Sequence, residues 1–262
     1  MKLARATING VVTSGEIEGD SFHPLTGDVF ASPRRRGDVA ALKDIALLAP
    51  IAARQVYLII GGFVSEAGAK LAPGEEPWLT PKIVTDVSGD NGCIAVPAFV
   101  TGDLWMEVEV ALVIKTQVYR ATPDEARDGI LGFTVFNDAT AAQFQEYAIG
   151  DRAIMNFFRA KSIESFAAMG PWIDTDLTER DLADGLAIRG FRNGELAAQG
   201  NTALAKFSPG ELVSFVSQSV VLYPGDVISM GTPQAFTALP GDTVSFEVDR
   251  IGSFTNYVVA QE

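Results

Sequence analysis

Two glutamates one residue apart, Glu107 and Glu109, interrupt an otherwise apolar run over residues 105–114. A two-residue step places both side chains on the same face of a β-strand, where the carboxylates repel each other and are costly to bury without compensation. Residues 132–138 form a second apolar segment, which ends at Asp138. Three convergent carboxylates suit a divalent cation that prefers oxygen ligands. The pattern predicts a Mg²⁺ or Mn²⁺ site, with a solvated strand face as the alternative.

Mainly β-strands are predicted around these acids. Residues 1–50 consist of short apolar segments separated by turns, and from residue 94 onward runs of β-branched residues alternate with Gly, Pro and Asp. Helices are predicted over 122–130, 139–149 and 209–220, with 151–158 as a further candidate. This distribution is typical of an α+β protein dominated by a mixed β core rather than of alternating βα units.

The composition of the chain argues against several classes of protein. The chain has 262 residues, of which 47% are apolar, and its apolar runs are too short for a transmembrane helix. A net charge of −13 argues against nucleic acids and anionic membranes as partners. The N-terminus has no apolar segment typical of a secretory signal, and the single Cys93 cannot form an internal disulfide. We therefore expect a cytoplasmic enzyme in which Cys93 is a buried structural thiol.

Nine motifs, in order, resemble those of the fumarylacetoacetate hydrolase family over nearly the whole chain. They are Leu47-Leu48-Ala49-Pro50, Ile94-Ala95-Val96-Pro97, Glu107-Val108-Glu109, Gly132-Phe133-Thr134-Val135-Phe136-Asn137-Asp138, Lys161-Ser162, Gly170-Pro171-Trp172, Leu222-Tyr223-Pro224-Gly225-Asp226, Gly231-Thr232-Pro233 and Leu239-Pro240-Gly241-Asp242. The resemblance implies an FAH-like mixed β-sandwich roll core with a small N-terminal β domain. It implies domains at 1–50 and 51–262, a candidate lid at 61–77, and a homodimer.

The resemblance also assigns site residues by position. It implies that Glu107, Glu109 and Asp138 hold the Mg²⁺ or Mn²⁺, and that Lys161 is catalytic because it faces the metal-bound substrate. It further implies substrate contacts, made by Gln145, Thr232, Lys82 and Phe63. The absence of an available His or Cys cluster argues against zinc.

One segment departs from the family pattern. In the stretch over residues 61–69, Glu66 stands where relatives carry a histidine that activates water, and Ala69 stands where they carry a glutamate. An arginine that holds an acidic substrate group in relatives is replaced by Ala142, and the only histidine of the chain, His23, lies in the N-terminal region. Glu66 is therefore our candidate for a catalytic acid or base, with a solvated lid residue as the alternative.

These observations leave three hypotheses. The first is a metal-dependent hydrolase or decarboxylase that cleaves a C–C bond of a chelating 1,3-dicarbonyl or 2-oxo acid through a metal-stabilised enolate. The second is a repurposed isomerase, dehydratase or cyclisation catalyst of specialised metabolism. The third is a non-catalytic scaffold. Decarboxylation needs no external base, whereas hydrolysis does, because water must lose a proton.

Overall fold

A computed structural model describes residues 1–65, 74–149 and 152–261 of the chain. Within these residues, strands account for far more of the chain than helices do. The predicted α+β, mainly β fold is confirmed.

The strands are β1 (Lys2–Ile8), β2 (Val11–Glu18), β3 (Ser21–Thr26), β4 (Arg34–Arg35), β5 (Ala40–Ala41), β6 (Ala46–Leu48), β7 (Val56–Ile60), β8 (Trp78–Lys82), β9 (Gly92–Val96), β10 (Leu104–Ile114), β11 (Ile130–Asp138), β12 (Thr140–Ala141), β13 (Glu146–Ile149), β14 (Arg152–Met155), β15 (Ala167–Asp174), β16 (Ala187–Arg192), β17 (Glu195–Asn201), β18 (Val227–Ser229), β19 (Ala235–Ala238), β20 (Thr243–Val248) and β21 (Gly252–Ala260). The α-helices are α1 (Pro123–Arg127), α2 (Phe157–Lys161), α3 (Glu179–Asp184) and α4 (Pro209–Ser219), and short 3₁₀ turns cover Leu42–Asp44, Ala142–Phe144 and Thr202–Leu204.

The larger sheet has the order β4-β3-β2-β1-β15-β11-β10-β18-β7-β8, and β12 and β19 pair with the first half of β10. The pairing of β18 with β7 is parallel, whereas β10 runs antiparallel to both β11 and β18, so the sheet is mixed. Strand β10 lies near the centre, and most of its residues are buried. A strand in that position offers side chains that are shielded from water on both faces.

The N-terminal strands continue this sheet. Strand β1 pairs with β15 through Lys2–Asp174 and Leu3–Ile173, while its other neighbours are β2 and β6. A small apolar cluster containing Ala4 and Phe22 stabilises these strands. The predicted division of the chain at residue 50 stays a prediction.

A second sheet, β17-β16-β20-β21-β9, packs against one face of β10 and completes the sandwich. Met106, Val108 and Val110 point into the shared core, as the two-residue period predicts. At Gly190 in β16 an added Cβ would lie 2.8 Å from Val108 Cγ2 and 2.5 Å from Phe236 Cε1. The absence of a side chain at Gly190 therefore lets the two sheets approach closely beside the start of β10.

Two of the predicted helices are wrong. Residues 139–149 form strand β12, a 3₁₀ turn and strand β13, and residues 152–155 form β14, which pairs with β13. Strand β12 is extended because it pairs with the start of β10, and this pairing overrides local helix propensity. The Gly150-Asp151 pair in the sequence is typical of a two-residue hairpin connection and was the missed signal.

The other two predicted helices are confirmed as α1 and α4. Each begins with a capping box, formed by Thr122 with Glu125 and by Ser208 with Glu211. Each also has proline in its first turn, where its missing N–H costs nothing.

The prediction that Cys93 is buried is wrong, because its side chain is exposed. Cys93 lies in β9, an edge strand of the smaller sheet, whose alternate residues Ile94 and Val96 face the core. In the described ranges, no helix is both long and apolar enough to cross a membrane.

Candidate metal centre

The three predicted metal ligands meet at the pairing of β10 with β11. These strands are antiparallel, with Val108 opposite Asn137 and Glu109 opposite Phe136. Continued by one residue, this register places Glu107 beside Asp138. Like charges directly opposite each other on one face of a sheet are destabilising, so the strands bring together groups that repel.

One carboxylate oxygen from each of Glu107, Glu109 and Asp138 lies within 4.8 Å of the other two, and all three residues are buried. At such separations each pair of charged carboxylates repels by about 3 kcal/mol or more, even at an effective dielectric constant of 20. A divalent cation among these oxygens would replace repulsion by attraction, and carboxylate oxygens are the ligands that Mg²⁺ and Mn²⁺ prefer. The donor set fits such an ion.

Lys161 compensates part of the negative charge. Its ammonium donates hydrogen bonds to Glu107 Oε2 at 2.8 Å, to Thr140 Oγ1 at 2.8 Å and to Asp138 Oδ2. An ammonium has three N–H donors, so these contacts occupy all of them. In this arrangement Lys161 holds two of the three acids in place, and it would contact a substrate only by exchanging one of these partners.

Lys82, at the end of β8, is the second buried cation of the cluster. It donates to Asp138 Oδ1 and, at 3.0 Å, to the carbonyl oxygen of Ala139. Among the residues that the structure describes, these are its only partners, so one of its three N–H donors is not engaged. Lys82 thus offers a donor to a substrate beside Asp138.

Two hydroxyl groups and a side-chain amide also make hydrogen bonds to residues of this cluster. We did not predict these three groups from the sequence. Thr140 accepts from Lys161, and its Oγ1 lies 3.4 Å from Glu107 Oε1, whereas Ser229 donates from Oγ to Glu109 Oε2. Asn137 Oδ1 accepts from the N–H of Glu107 at 3.3 Å. The sequence feature that could have identified them is a polar residue within or beside an apolar strand, as at Ser229 in β18.

The pKa values of the three acids are not shifted in the same direction. Burial, with the neighbouring charges of Asp138 and Glu107, raises the pKa of Glu109 well above its ordinary value. Burial also raises the pKa of Glu107, although Lys161 opposes the shift. Burial acts in the same direction on Asp138, but Lys161 and Lys82 outweigh it and hold the pKa of that carboxyl below its ordinary value. Asp138 is thus the acid that stays charged.

The pKa values of the two lysines are shifted in opposite directions. Burial lowers the pKa of Lys82, although Asp138 opposes the change. Burial would also lower the pKa of Lys161, but the three neighbouring carboxylates, that of Asp138 foremost, raise it above its ordinary value. Lys161 therefore keeps its positive charge to a higher pH than Lys82 does.

Thr232 lies against the strand that carries the glutamates. Its hydroxyl is 3.0 Å from the carbonyl oxygens of Val108 and Gln234, so its hydrogen is engaged by the backbone. Among the described residues, its backbone N–H has no hydrogen-bond partner. A substrate contact by Thr232 would therefore use the N–H rather than the hydroxyl hydrogen.

Phe63 is fixed by two neighbouring segments. It bridges to Ala205, and the preceding Gly62 approaches Met230 so closely that an added Cβ would lie 2.0 Å from the carbonyl oxygen. Its ring packs at the edge of the main core.

Gln145 follows a 3₁₀ turn and is half-buried, with its carbonyl oxygen accepting from the N–H of Asn156 at 2.7 Å. Glu66, and with it part of the candidate lid, lies outside the described residues. His23 lies in β3, where its Nε2 is 3.5 Å from Glu18, and it does not contribute to the cluster of acids.

Comparisons with known proteins identify similar sequences over the whole chain. The family model described as fumarylacetoacetate (FAA) hydrolase C-terminal matches residues 62–259, and the model described as Rv2993c-like, N-terminal matches residues 1–50. Protein Rv2993c of Mycobacterium tuberculosis is 32% identical over 270 residues, which cover 99% of this chain and 98% of the relative.

Some relatives have names that describe a reaction. The 4-hydroxyphenylacetate degradation bifunctional isomerase/decarboxylase of Escherichia coli is 33% identical over 194 residues, covering 72% of this chain and 43% of that protein. The crystal structure of 2-hydroxyhepta-2,4-diene-1,7-dioate isomerase from Mycobacterium marinum superposes with a TM-score of 0.87 at 30% identity, covering 100% of this chain and 99% of that one. This likeness confirms the predicted FAH-like fold.

Replacing Glu109 by Gln should remove metal binding. The change keeps the size of the side chain and removes one of three mutually repelling carboxylates, so metal-free protein should be as stable as the wild type or more stable. Wild-type protein should gain about 2.7 kcal/mol when Mg²⁺ reaches 100 times its Kd, and the variant should gain none. Thermal unfolding with and without Mg²⁺ measures both effects.

Glu195→Gln is the matched control, because Glu195 is an exposed strand residue outside the cluster. It should retain the full Mg²⁺-dependent gain. A Glu109→Gln variant that is still stabilised by Mg²⁺ as strongly as the wild type would refute the assignment.

Metal affinity should fall as the pH is lowered. The raised pKa of Glu109 means that this group keeps its proton to a higher pH than an ordinary glutamate, and a cation must displace that proton in order to bind. Each displaced proton weakens binding by up to about tenfold per pH unit below the pKa. Calorimetry from pH 8 to pH 6 should show weaker binding and greater proton release; equal affinity throughout would contradict this.

Proposed function

The chain belongs to the fumarylacetoacetate hydrolase family, and on this premise we propose that it is a divalent-metal-dependent enzyme that acts on a chelating 1,3-dicarbonyl or 2-oxo acid. Members of this family are enzymes, and relatives carry the names isomerase and decarboxylase. The observation that carries the proposal is the buried group of Glu107, Glu109 and Asp138 with two lysines in contact.

Mg²⁺ or Mn²⁺ is the proposed cofactor, with those three acids as its protein ligands. When bound, the ion would supply Lewis acidity for the negative charge that develops on the substrate's carbonyl oxygens. Lys161 orients Glu107 and Asp138, and Lys82 offers its remaining N–H to a substrate oxygen or carbon beside Asp138. The hydroxyl of Ser229 fixes the carboxylate of Glu109.

Decarboxylation is the C–C bond cleavage that these residues support best. When CO₂ leaves, the bonding electrons remain on the substrate, so the step needs no base to activate water. Hydrolysis does need one, and the only histidine of the chain, His23, lies in the N-terminal strands. Hydrolysis therefore depends on Glu66, for which the sequence position is the sole support.

Isomerisation is the second candidate, favoured by the unengaged donor of Lys82. Moving a double bond next to a carbonyl requires that a proton leave one carbon and arrive at another. Lys82 Nζ could deliver a proton to the second carbon through the N–H that has no partner among the described residues, and the amine formed could take up the proton that leaves the first carbon. The names of the relatives from Escherichia coli and Mycobacterium marinum are consistent with this reaction class.

The same proposal includes three substrate contacts and the cellular compartment. Substrate contacts are proposed for Gln145, for the N–H of Thr232 and for Phe63, whose ring lies at the edge of the main core. The lone, exposed thiol of Cys93 is compatible with a reducing cytoplasm.

A homodimer with twofold symmetry is also proposed. It is supported by exposed apolar side chains on two neighbouring elements, Trp78 on β8 and Phe158 on α2. Exposed clusters of large apolar side chains mark interaction surfaces. Sedimentation at micromolar concentration should give the mass of a dimer, and a monomer would count against it.

Proton exchange and product formation together test the function. With Mg²⁺ in D₂O, the protein should accelerate deuterium incorporation at C3 of oxaloacetate or 2,4-dioxopentanoate, followed by NMR. The control without protein contains the same Mg²⁺, because the ion alone promotes both reactions. Release of CO₂ indicates a decarboxylase, exchange without cleavage an isomerase, and release of the acyl group as acetate a hydrolase.

Glu109→Gln should reduce every one of these activities to the rate of the protein-free control, whereas Glu195→Gln should not. If acetate is released and Glu66 is the base, Glu66→Gln should lower kcat by roughly a hundredfold. If the wild-type protein gives the same rates as the protein-free control with all substrates, the proposal of an enzyme is contradicted and the hypothesis of a non-catalytic scaffold is supported.

A further inference from the structure

We propose that Ser162 and Glu164 are positioning residues, which hold the two buried lysines of the metal centre in place. Each of these side chains links the segment that follows Lys161 to the segment that follows Lys82. The links set the separation of the two ammonium groups, and with it the orientation of the carboxylate that both contact, that of Asp138. This inference rests on the proposed function, because it concerns the geometry of the same site.

The two lysines occupy equivalent places in neighbouring segments. Lys82 is the last residue of β8 and Lys161 is the last residue of α2, and both are buried. Lys82 donates to Oδ1 of Asp138, and Lys161 donates to Oδ2 of the same carboxylate. Two like charges on one carboxylate repel each other. The backbone that carries the lysines therefore has to resist their separation.

Side-chain acceptors join the two segments directly after the lysines. Ser162 Oγ accepts from the N–H of Ile83 at 3.0 Å. Two residues farther on, Glu164 Oε1 accepts from the N–H of Thr85 at 3.0 Å and from its hydroxyl at 2.8 Å. Ile163, between the two acceptors, points into the main core, as alternation along an extended chain requires. Ser162 and Glu164 thus face the neighbouring segment together.

Farther along, the backbones of the same segments pair directly. The N–H of Ser88 donates to the carbonyl oxygen of Ala167 at 3.0 Å, and the N–H of Met169 donates to the carbonyl oxygen of Ser88 at 2.9 Å. The links after the lysines and the contact of Ser88 with Ala167 all join residues that are 79 positions apart. Lys82 and Lys161 have the same separation. The segments therefore run side by side in one register that begins at the lysines.

The links lie where their loss should leave the core intact. Glu164 and Thr85 are exposed, so water can replace the carboxylate as the partner of the N–H of Thr85. Lys82 depends on the links more than Lys161 does, because β8 is an edge strand. The ammonium of Lys82 also has two partners among the described residues, against three for Lys161. Displacing a group that acts on the substrate by about 1 Å lowers the rate by roughly a hundredfold.

Removal of both links tests the inference by a measurement that needs no turnover. In Ser162→Ala/Glu164→Ala, reductive methylation of the metal-free protein should modify Lys82 about tenfold faster than in the wild type, or faster still. Peptide mass spectrometry measures the rate, with the exposed Lys43 as internal reference. With Mg²⁺ and oxaloacetate, kcat should fall by about tenfold or more, whereas KM should change by less than about threefold, because the three acids are unchanged.

Two further variants separate positioning from a general loosening. Glu164→Gln keeps an oxygen that accepts from the N–H of Thr85, so it should restore the slow methylation of Lys82 that Glu164→Ala loses. Ser88→Ala is the matched control, because it removes a side-chain contact between the same segments, Ser88 Oγ to the carbonyl oxygen of Ala167 at 3.3 Å, and leaves the backbone pairing. It should keep the wild-type methylation rate and kcat.

Unchanged methylation of Lys82 in the double variant, an unchanged kcat, or equally fast methylation in Ser88→Ala would overturn the positioning role and leave the proposed function intact. If the double variant does not fold, Glu164→Ala alone, which removes only exposed contacts, should show the same changes to a smaller extent. Wild-type protein that turns over oxaloacetate no faster than the protein-free control would overturn the proposed function, and the methylation rates would still test the links.

Discussion

An excess of buried negative charge is the constraint on which the architecture depends. Among the described residues, three carboxylates face two ammonium groups on one face of the central strands β10 and β11, so the acids outnumber the cations by one when all are ionised. Asp138 contacts both lysines and Glu107 contacts one, whereas the hydrogen-bond partner of Glu109 among the described residues is the hydroxyl of Ser229. Removing charge from water is expensive unless it is paired. A divalent cation among these oxygens would balance the excess and turn a destabilising cluster into a binding site.

The rest of the fold supports this cluster from two sides. The smaller sheet covers the opposite face of β10, so Val108 lies in a tightly packed core while its neighbours in sequence, Glu107 and Glu109, face the site. Gly190 permits that close packing. On the site's own face, β12 pairs with the start of β10 and carries Thr140. Rigid strands hold such ligands more accurately than loops would.

Strong periodic patterns made the cluster of acids and the β core predictable. The two-residue step of Glu107 and Glu109 determines their common face whatever the tertiary structure, and an apolar strand that ends in Asp138 supplies the third acid. The strand conformation of residues 140–141 was not predictable, because it depends on pairing with β10, a long-range contact that local propensity does not encode. The exposure of Cys93 depends in the same way on which face of an edge strand meets the core.

Residues whose importance depends on the folded structure were harder to predict from the sequence. Lys161 and Lys82 could be assigned from the family resemblance, but the sequence did not show that one ammonium is saturated and the other is not. That difference arises from the directions of three N–H groups in the folded chain. Ser229 is an ordinary polar residue in the sequence and gains its significance only when β18 is placed beside β10.

A crystal structure of the protein with bound Mn²⁺, located by its anomalous scattering, tests the central claim most directly. The account predicts a single strong peak within bonding distance of one oxygen from each of Glu107, Glu109 and Asp138, with Lys161 still contacting Asp138. A peak elsewhere, or no peak while the ammonium of either lysine lies between the two glutamates, would contradict it.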